Sequence, residues 1–160
     1  MREAQGRMLD LNEIEILQVA IAHEERARSY YERMAARHAD TPAGDLFTFL
    51  CGEEEGHIRK ISALYALPRF EAGWEEKYLP YLIDLDRLAW AEGVETAAAE
   101  GVDAIRKGLL IAQKAETHAI SFYSRAASVV LDRDTKWLLS ELEAEEKIHL
   151  AKIEGFLKKL

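Results

Sequence analysis

The pair Glu-x-x-His occurs twice in this chain at the same place in a long repeat, and each copy interrupts an apolar helical stripe. Glu54-x-x-His57 and Glu146-x-x-His149 stand 92 positions apart, and the same offset carries Glu24 onto Glu116 and Tyr31 onto Tyr123. At that offset LCGEEEGHIRKI (50–61) lies on LEAEEKIHLAKI (142–153), and HEERARSYY (23–31) on AETHAISFY (115–123). Glutamate fills 21 of 160 positions, so one Glu three residues before a histidine is a one-in-eight accident. Two such pairs at one repeat phase, each 30 residues after a glutamate in the preceding segment, indicate a duplicated helical hairpin.

The rest of the pattern fits helices around those pairs. Asn12 and Glu15 are spaced as a capping box, and Leu17, Ala20, Ile21, Ala27, Tyr31 and Ala35 then follow with helical spacing, which predicts a first helix over 13–39. Asp40-Thr41-Pro42 supplies a turn, a cap and a proline suited to the first helical position, opening a second helix that should end near Leu67, before Pro68. Asp103 as N-cap starts a third helix reaching about Leu131, and Asp132-Arg133-Asp134 turns into a fourth that runs to the C-terminus. The 35 residues from Pro68 to Val102 suit a crossover spanning a bundle, with one short helix around 81–92. The expected fold is all-α: an antiparallel four-helix bundle of two hairpins, 12–67 and 103–160, joined by the crossover 68–102 in a single domain, 1–160. A chain of this size can bury about two thirds of its unfolded surface in one core.

Every helix of that bundle puts a carboxylate inside its apolar stripe. Glu54 and His57 lie between Leu50 and Ile61, Glu146 and His149 between Leu142 and Ile153, Glu24 between Ala20 and Ala27, and Glu116 between Ala112 and Ala119. Glu24 and Glu54 fall roughly 24 and 20 Å from the turn that joins their helices, and the second hairpin repeats those depths, so the four groups should meet near mid-bundle. Burying four unpaired carboxylates costs several kcal/mol each in a fold whose whole stability is about 5–15 kcal/mol. Arg28, at the edge of the first stripe, is the one basic residue nearby. Two divalent cations would neutralise the four carboxylates while the imidazoles complete the coordination, and this donor set in a bundle suits iron or manganese. The expected ligands are Glu24, Glu54, His57, Glu116, Glu146 and His149, around two iron ions or manganese in their place.

Other residues have plainer expectations. Glu25, Glu53, Glu55, Glu143 and Glu145 flank the stripes and read as surface charges, and His23, His38 and His118 as surface or edge residues. Tyr31 and Tyr123, seven residues beyond Glu24 and Glu116, either hydrogen-bond the centre, protect it by local oxidation, or pack in the core. Cys51 has no CxxC companion, which leaves no disulfide framework or rubredoxin-type iron knuckle and fits a reducing cytoplasm. It reads as a small buried residue. A formal charge of −8 repels phosphate backbones, so nucleic acid is not an expected partner. No apolar run resembles a leader or approaches about 18 residues, so the expectation is a soluble, unprocessed protein with no membrane partner. The aromatic crossover, with Trp74, Tyr78, Tyr81 and Trp90, either covers the bundle or forms a dimer interface.

Glu24-x-x-Ala27-x-x-x-Tyr31, Glu54-x-x-His57, Glu116 with Tyr123, and Glu146-x-x-His149 together resemble the rubrerythrin branch of the ferritin-like superfamily, across the four helices and not the crossover. The resemblance implies two irons held at these positions, with Glu54 and Glu146 bridging, Glu24 and Glu116 terminal, and one histidine per metal. It further implies an oxidoreductase that reduces peroxide or oxygen, or oxidises ferrous iron. Rubrerythrins carry a further glutamate three residues after the first on the third helix, where this chain has Ala119. They also carry a rubredoxin electron-transfer domain, absent here, so an electron donor would come from another molecule. The other expectations are iron storage or delivery without catalysis, a metal-free interaction module, and manganese catalase-like or oxygenase chemistry, in a homodimer or larger homo-oligomer.

Overall fold

The computed structural model describes residues 10–66 and 73–160, and these are helical with no strand among them. Helix α1 (Glu13–Arg37) starts with a complete capping box: the Asn12 side chain accepts from the Glu15 amide at 2.8 Å, and the Asn12 amide donates to the Glu15 carboxylate at 3.2 Å. It stops at Arg37 rather than at the expected 39, because His38 leaves helical geometry and Asp40 turns the chain with a φ of 63°. Helix α2 (Pro42–Leu64) opens with Thr41 accepting from the Gly44 amide at 3.1 Å and Pro42 in the first turn. Gly44 is required by a close approach: a Cβ there would lie 2.1 Å from the His38 carbonyl oxygen. Tyr65 is already extended, so α2 ends earlier than expected. Leu67 and Pro68, the expected end of this helix, lie outside the described residues, as does the stretch 1–9.

The crossover holds more structure than one short helix. It contains α3 (Trp74–Tyr78), a 3-10 turn at Leu79–Tyr81 and α4 (Leu85–Glu92). The expected start of the short helix at 81 moves to Leu85, since Asp84 caps it by accepting from the Arg87 amide at 3.0 Å, and Gly93 ends it with a φ of 66°. Helix α5 (Gly101–Val129) also corrects an expectation. Its N-cap position is Glu100, with no side-chain cap, because the chain enters the helix through Gly101 at a φ of 76°. Asp103 sits in the first turn instead, where its charge complements the helix dipole and it pairs with Lys107 at 3.4 Å. Helix α6 (Arg133–Lys158) begins at the expected turn, with Asp132 accepting from the Thr135 amide at 2.9 Å.

Helices α1 and α2 pack along each other, as do α5 and α6, and the hairpins meet through α2 against α6 and α1 against α5. The result is the expected all-α bundle. Its core has two parts: one around Leu17, Ile61, Tyr123 and Leu139, the other around Tyr31, Leu50, Ala112 and Ile153. In each of the four long helices the division falls at the interrupting glutamate. The crossover lies over the bundle, with Tyr78 buried and donating to Gln18 Oε1 at 2.9 Å, while Trp90 points to solvent. Among the described residues no helix is long and apolar enough to cross a membrane.

Candidate metal centre

The layer between the two apolar regions is made by Glu24 on α1, Glu54 and His57 on α2, Glu116 on α5, and Glu146 and His149 on α6, each at most 2% exposed. Each helix contributes where its own periodicity turns one position per turn inward, so the local cause is the spacing of the flanking apolar residues. The structure therefore brings all six expected residues together.

They form two overlapping groups. Glu24, Glu54, His57 and Glu146 each offer an atom within 4.8 Å of the others, and so do Glu54, Glu116, Glu146 and His149. Glu54 and Glu146 are common to both, while each group has its own second glutamate and its own histidine. His57 Nδ1 lies 3.3 Å from Glu24 Oε2, 3.8 Å from Glu54 Oε2 and 2.8 Å from Glu146 Oε1. His149 Nδ1 lies 3.7 Å from Glu54 Oε1, 3.9 Å from Glu116 Oε2 and 3.7 Å from Glu146 Oε1. The two imidazoles stack, with ring centroids 5.5 Å apart.

The tyrosines tie the hairpins together at this layer. Tyr31 on α1 donates to Glu116 Oε1 on α5 at 2.7 Å, and Tyr123 on α5 donates to Glu24 Oε1 on α1. Of the roles open to them in the sequence, hydrogen bonding to the carboxylates is the one this geometry supports. Burial, then the neighbouring carboxylates, push both phenols far above their ordinary range, so they stay protonated donors.

Proton affinities in the layer are strongly perturbed. Burial and the nearby Glu146 raise the Glu116 carboxyl well above the usual range, and burial with Glu24 raises Glu146. Burial opposes charge on His57, but Glu146 and Glu24 outweigh it and push the imidazole up to about 11. Burial lowers His149. Both Glu54 oxygens, Glu116 Oε2 and His149 Nδ1 are buried with no hydrogen-bond partner. Orphaned groups of this kind are costly in a dry core. Carboxylate oxygens and an imidazole nitrogen converging within coordination range are the donor set of a transition-metal ion, so the residues fit one.

Several surrounding residues depart from expectation. Glu145 is half-buried rather than a plain surface charge, with Oε2 2.7 Å from His57 Nε2, and Glu53 Oε2 lies 4.0 Å from His149 Nε2. Both stand one residue before a stripe glutamate, and that position faces the neighbouring helix. Their shared repeat phase is the signal in the sequence that could have found them. His23 and His38 are buried, not at the edge. His23 is covered because the crossover brings Tyr81 O to 2.7 Å from His118 Nε2, and His118 in turn meets the His23 ring at 5.7 Å. Burial lowers His23 to about 4 despite adjacent Glu24. Cys51 is half-buried.

A solved structure, a DUF305 fragment from Deinococcus radiodurans, has the same fold, with a TM-score of 0.72 at 17% identity over 92% of this chain and 96% of that one. No curated protein matches the chain. The rubrerythrin family pattern matches residues 15–157, from the first turn of α1 to the last turn of α6. The match spans all four helices that build the glutamate layer, and the chain belongs to the rubrerythrin family.

Proposed function

We propose that this layer binds two metal ions, iron or manganese in its place, and that the protein is an oxidoreductase acting on peroxide or oxygen, or on ferrous iron itself. The observation that carries the reading is the overlap of the two donor groups through Glu54 and Glu146. Two shared carboxylates with one glutamate and one histidine on either side are what two adjacent ions require. Glu54 and Glu146 would bridge, Glu24 with His57 would complete one position, and Glu116 with His149 the other. Family membership supports the same assignment.

Iron held there would supply electrons to peroxide or oxygen, and would itself pass from ferrous to ferric in doing so. The chain's own residues set the conditions for that exchange. Tyr31 and Tyr123 each hold one oxygen of a terminal carboxylate, which leaves Oε2 of Glu116 and of Glu24 turned to the centre. The apolar residues on either side exclude water, which strengthens every charge interaction within the layer. Ala27 and Ala119 occupy the same repeat position and both are buried, so no third carboxylate per hairpin enters from α1 or α5.

The test is elemental analysis of protein purified without added metal, followed by stopped-flow absorbance when ferrous-loaded protein meets peroxide or oxygen. The expected result is two metal equivalents per chain and ferric absorption that rises far faster than for free iron. A rise no faster than free iron, unchanged by Glu54→Ala, overturns the oxidoreductase reading. Continued accumulation of ferric iron beyond two equivalents replaces it with storage.

A further inference from the structure

The two halves of the centre repeat in sequence, yet their imidazoles are held from behind in different ways. His57 and His149 both turn Nδ1 toward the glutamate layer and Nε2 away from it. A neutral imidazole has one lone pair and one N–H, so a ring that ligates through Nδ1 carries its proton on Nε2 and needs an acceptor there. For His57 the carboxylate at hand is Glu145 of the other hairpin: its Oε2 lies 2.7 Å from Nε2 but off line, so that neither atom has a hydrogen-bond partner as the side chains stand, and a small rotation of either would make one. The other oxygen of Glu145 lies 2.7 Å from Lys60 Nζ, which also reaches Glu141 at 3.5 Å.

His149 has the corresponding glutamate, Glu53, but at 4.0 Å. The repeat places Lys152 where the first hairpin has Lys60, and Phe49 where the second has Glu141. Lys152 Nζ accordingly lies 5.1 Å above the Phe49 ring, and that ring meets His149 edge-on at 6.0 Å. A lysine held between two carboxylates on one side is matched by a lysine on an aromatic face on the other. The side chain of Glu53 is 39% exposed, against 28% for Glu145.

We propose that Glu145 is a positioning residue for His57 with no equivalent behind His149, and that the chain Lys60–Glu145–His57 makes the His57 side the tightly held metal position and the His149 side the exchanging one. The inference rests on the dinuclear reading above. A carboxylate behind a ligand imidazole fixes its tautomer and raises its basicity, and losing one costs about 10–100-fold in metal affinity. Only the His57 side has a carboxylate within hydrogen-bond distance of Nε2.

Cobalt(II) is the probe. The full chain, loaded with two equivalents, is mixed with excess chelator and followed by visible absorption. The expected release has two phases of equal amplitude. Glu145→Ala and Lys60→Met speed the slow phase by about 10–100-fold, Glu145→Gln less because it keeps an acceptor oxygen, and Glu53→Gln leaves both phases near wild-type rates. In zinc-loaded protein the Nε2 proton of His57 exchanges slowly by NMR and does so no longer in Glu145→Ala, whereas that of His149 already exchanges fast. A single release phase, equal effects of Glu53→Gln and Glu145→Gln, or a slow proton on His149 instead, overturns this inference alone. Failure to take up two cobalt equivalents overturns it together with the dinuclear reading.

Discussion

Tyr31 on α1 donates a hydrogen bond to Glu116 on α5, and its repeat partner Tyr123 returns the bond from α5 to Glu24 on α1. Each hairpin thus completes the carboxylate of the other. Tyr31→Phe removes a hydrogen bond to a buried carboxyl whose second oxygen has none. The metal-free protein should lose about 1–3 kcal/mol of stability, measured by urea unfolding. An unchanged urea midpoint would mean that the bond contributes nothing.

Glu54 sets metal binding against stability, because both its oxygens are buried without a hydrogen-bond partner. Glu54→Leu should stabilise the metal-free protein by about 1–3 kcal/mol, because it removes two buried oxygens that no donor satisfies and one of four crowded carboxylates, while Glu24 and Glu146 still face His57. The same change should abolish the stabilisation by manganese(II), about 2.7 kcal/mol per bound ion for wild type at a free concentration 100 times Kd. Thermal melts with and without the ion read both effects.

Two glycines of α2 should respond in opposite directions. Gly44→Ala forces a Cβ onto the His38 carbonyl, a main-chain atom at 2.1 Å, so the α1–α2 turn must shift at a cost of about 1–3 kcal/mol or more. Gly52 is exposed, and a methyl group added there would meet nothing within 4 Å. Gly52→Ala should therefore gain about 0.5–1 kcal/mol from the unfolded chain's lost freedom. Denaturant midpoints of the two variants decide the matter.

His38 carries a pH dependence that lies away from the glutamate layer. It is buried at the end of α1, its ring stacked on Phe47 at 6.3 Å, and burial followed by the charge of Arg37 lowers its pKa from the ordinary 6.5. The unfolded chain then binds the proton more readily than the folded one. The stability due to neutral His38 is fully present above about pH 6.5 and is lost as the pH falls below it. Wild type should lose more stability than His38→Gln between about pH 7.5 and about pH 5, in parallel urea titrations of metal-free protein.

Much of the centre is legible along the chain because its cause is periodic. A glutamate at 24, 54, 116 or 146 is turned inward by the apolar neighbours three and four residues away, and the hairpin turns set all four at one depth. The capping box at Asn12 and the turn before Pro42 are local as well, and both helices start where those signals stand. Asp103 misleads for a local reason too: it is a good capping residue, but Gly101 two positions earlier already lets the chain turn into α5.

The sequence by itself determined the four long helices, the repeat and the identity of the six inward groups, since each depends on contacts within about one turn or one hairpin. Only the tertiary structure decided which hairpin serves which. That Tyr31 reaches Glu116, that Glu145 backs His57 and that Lys152 rests on Phe49 instead of holding Glu53 all depend on how α1 meets α5 and α2 meets α6. Residues one position off a stripe can face solvent or a neighbouring helix with equal local spacing, and the packing of the two hairpins makes that choice.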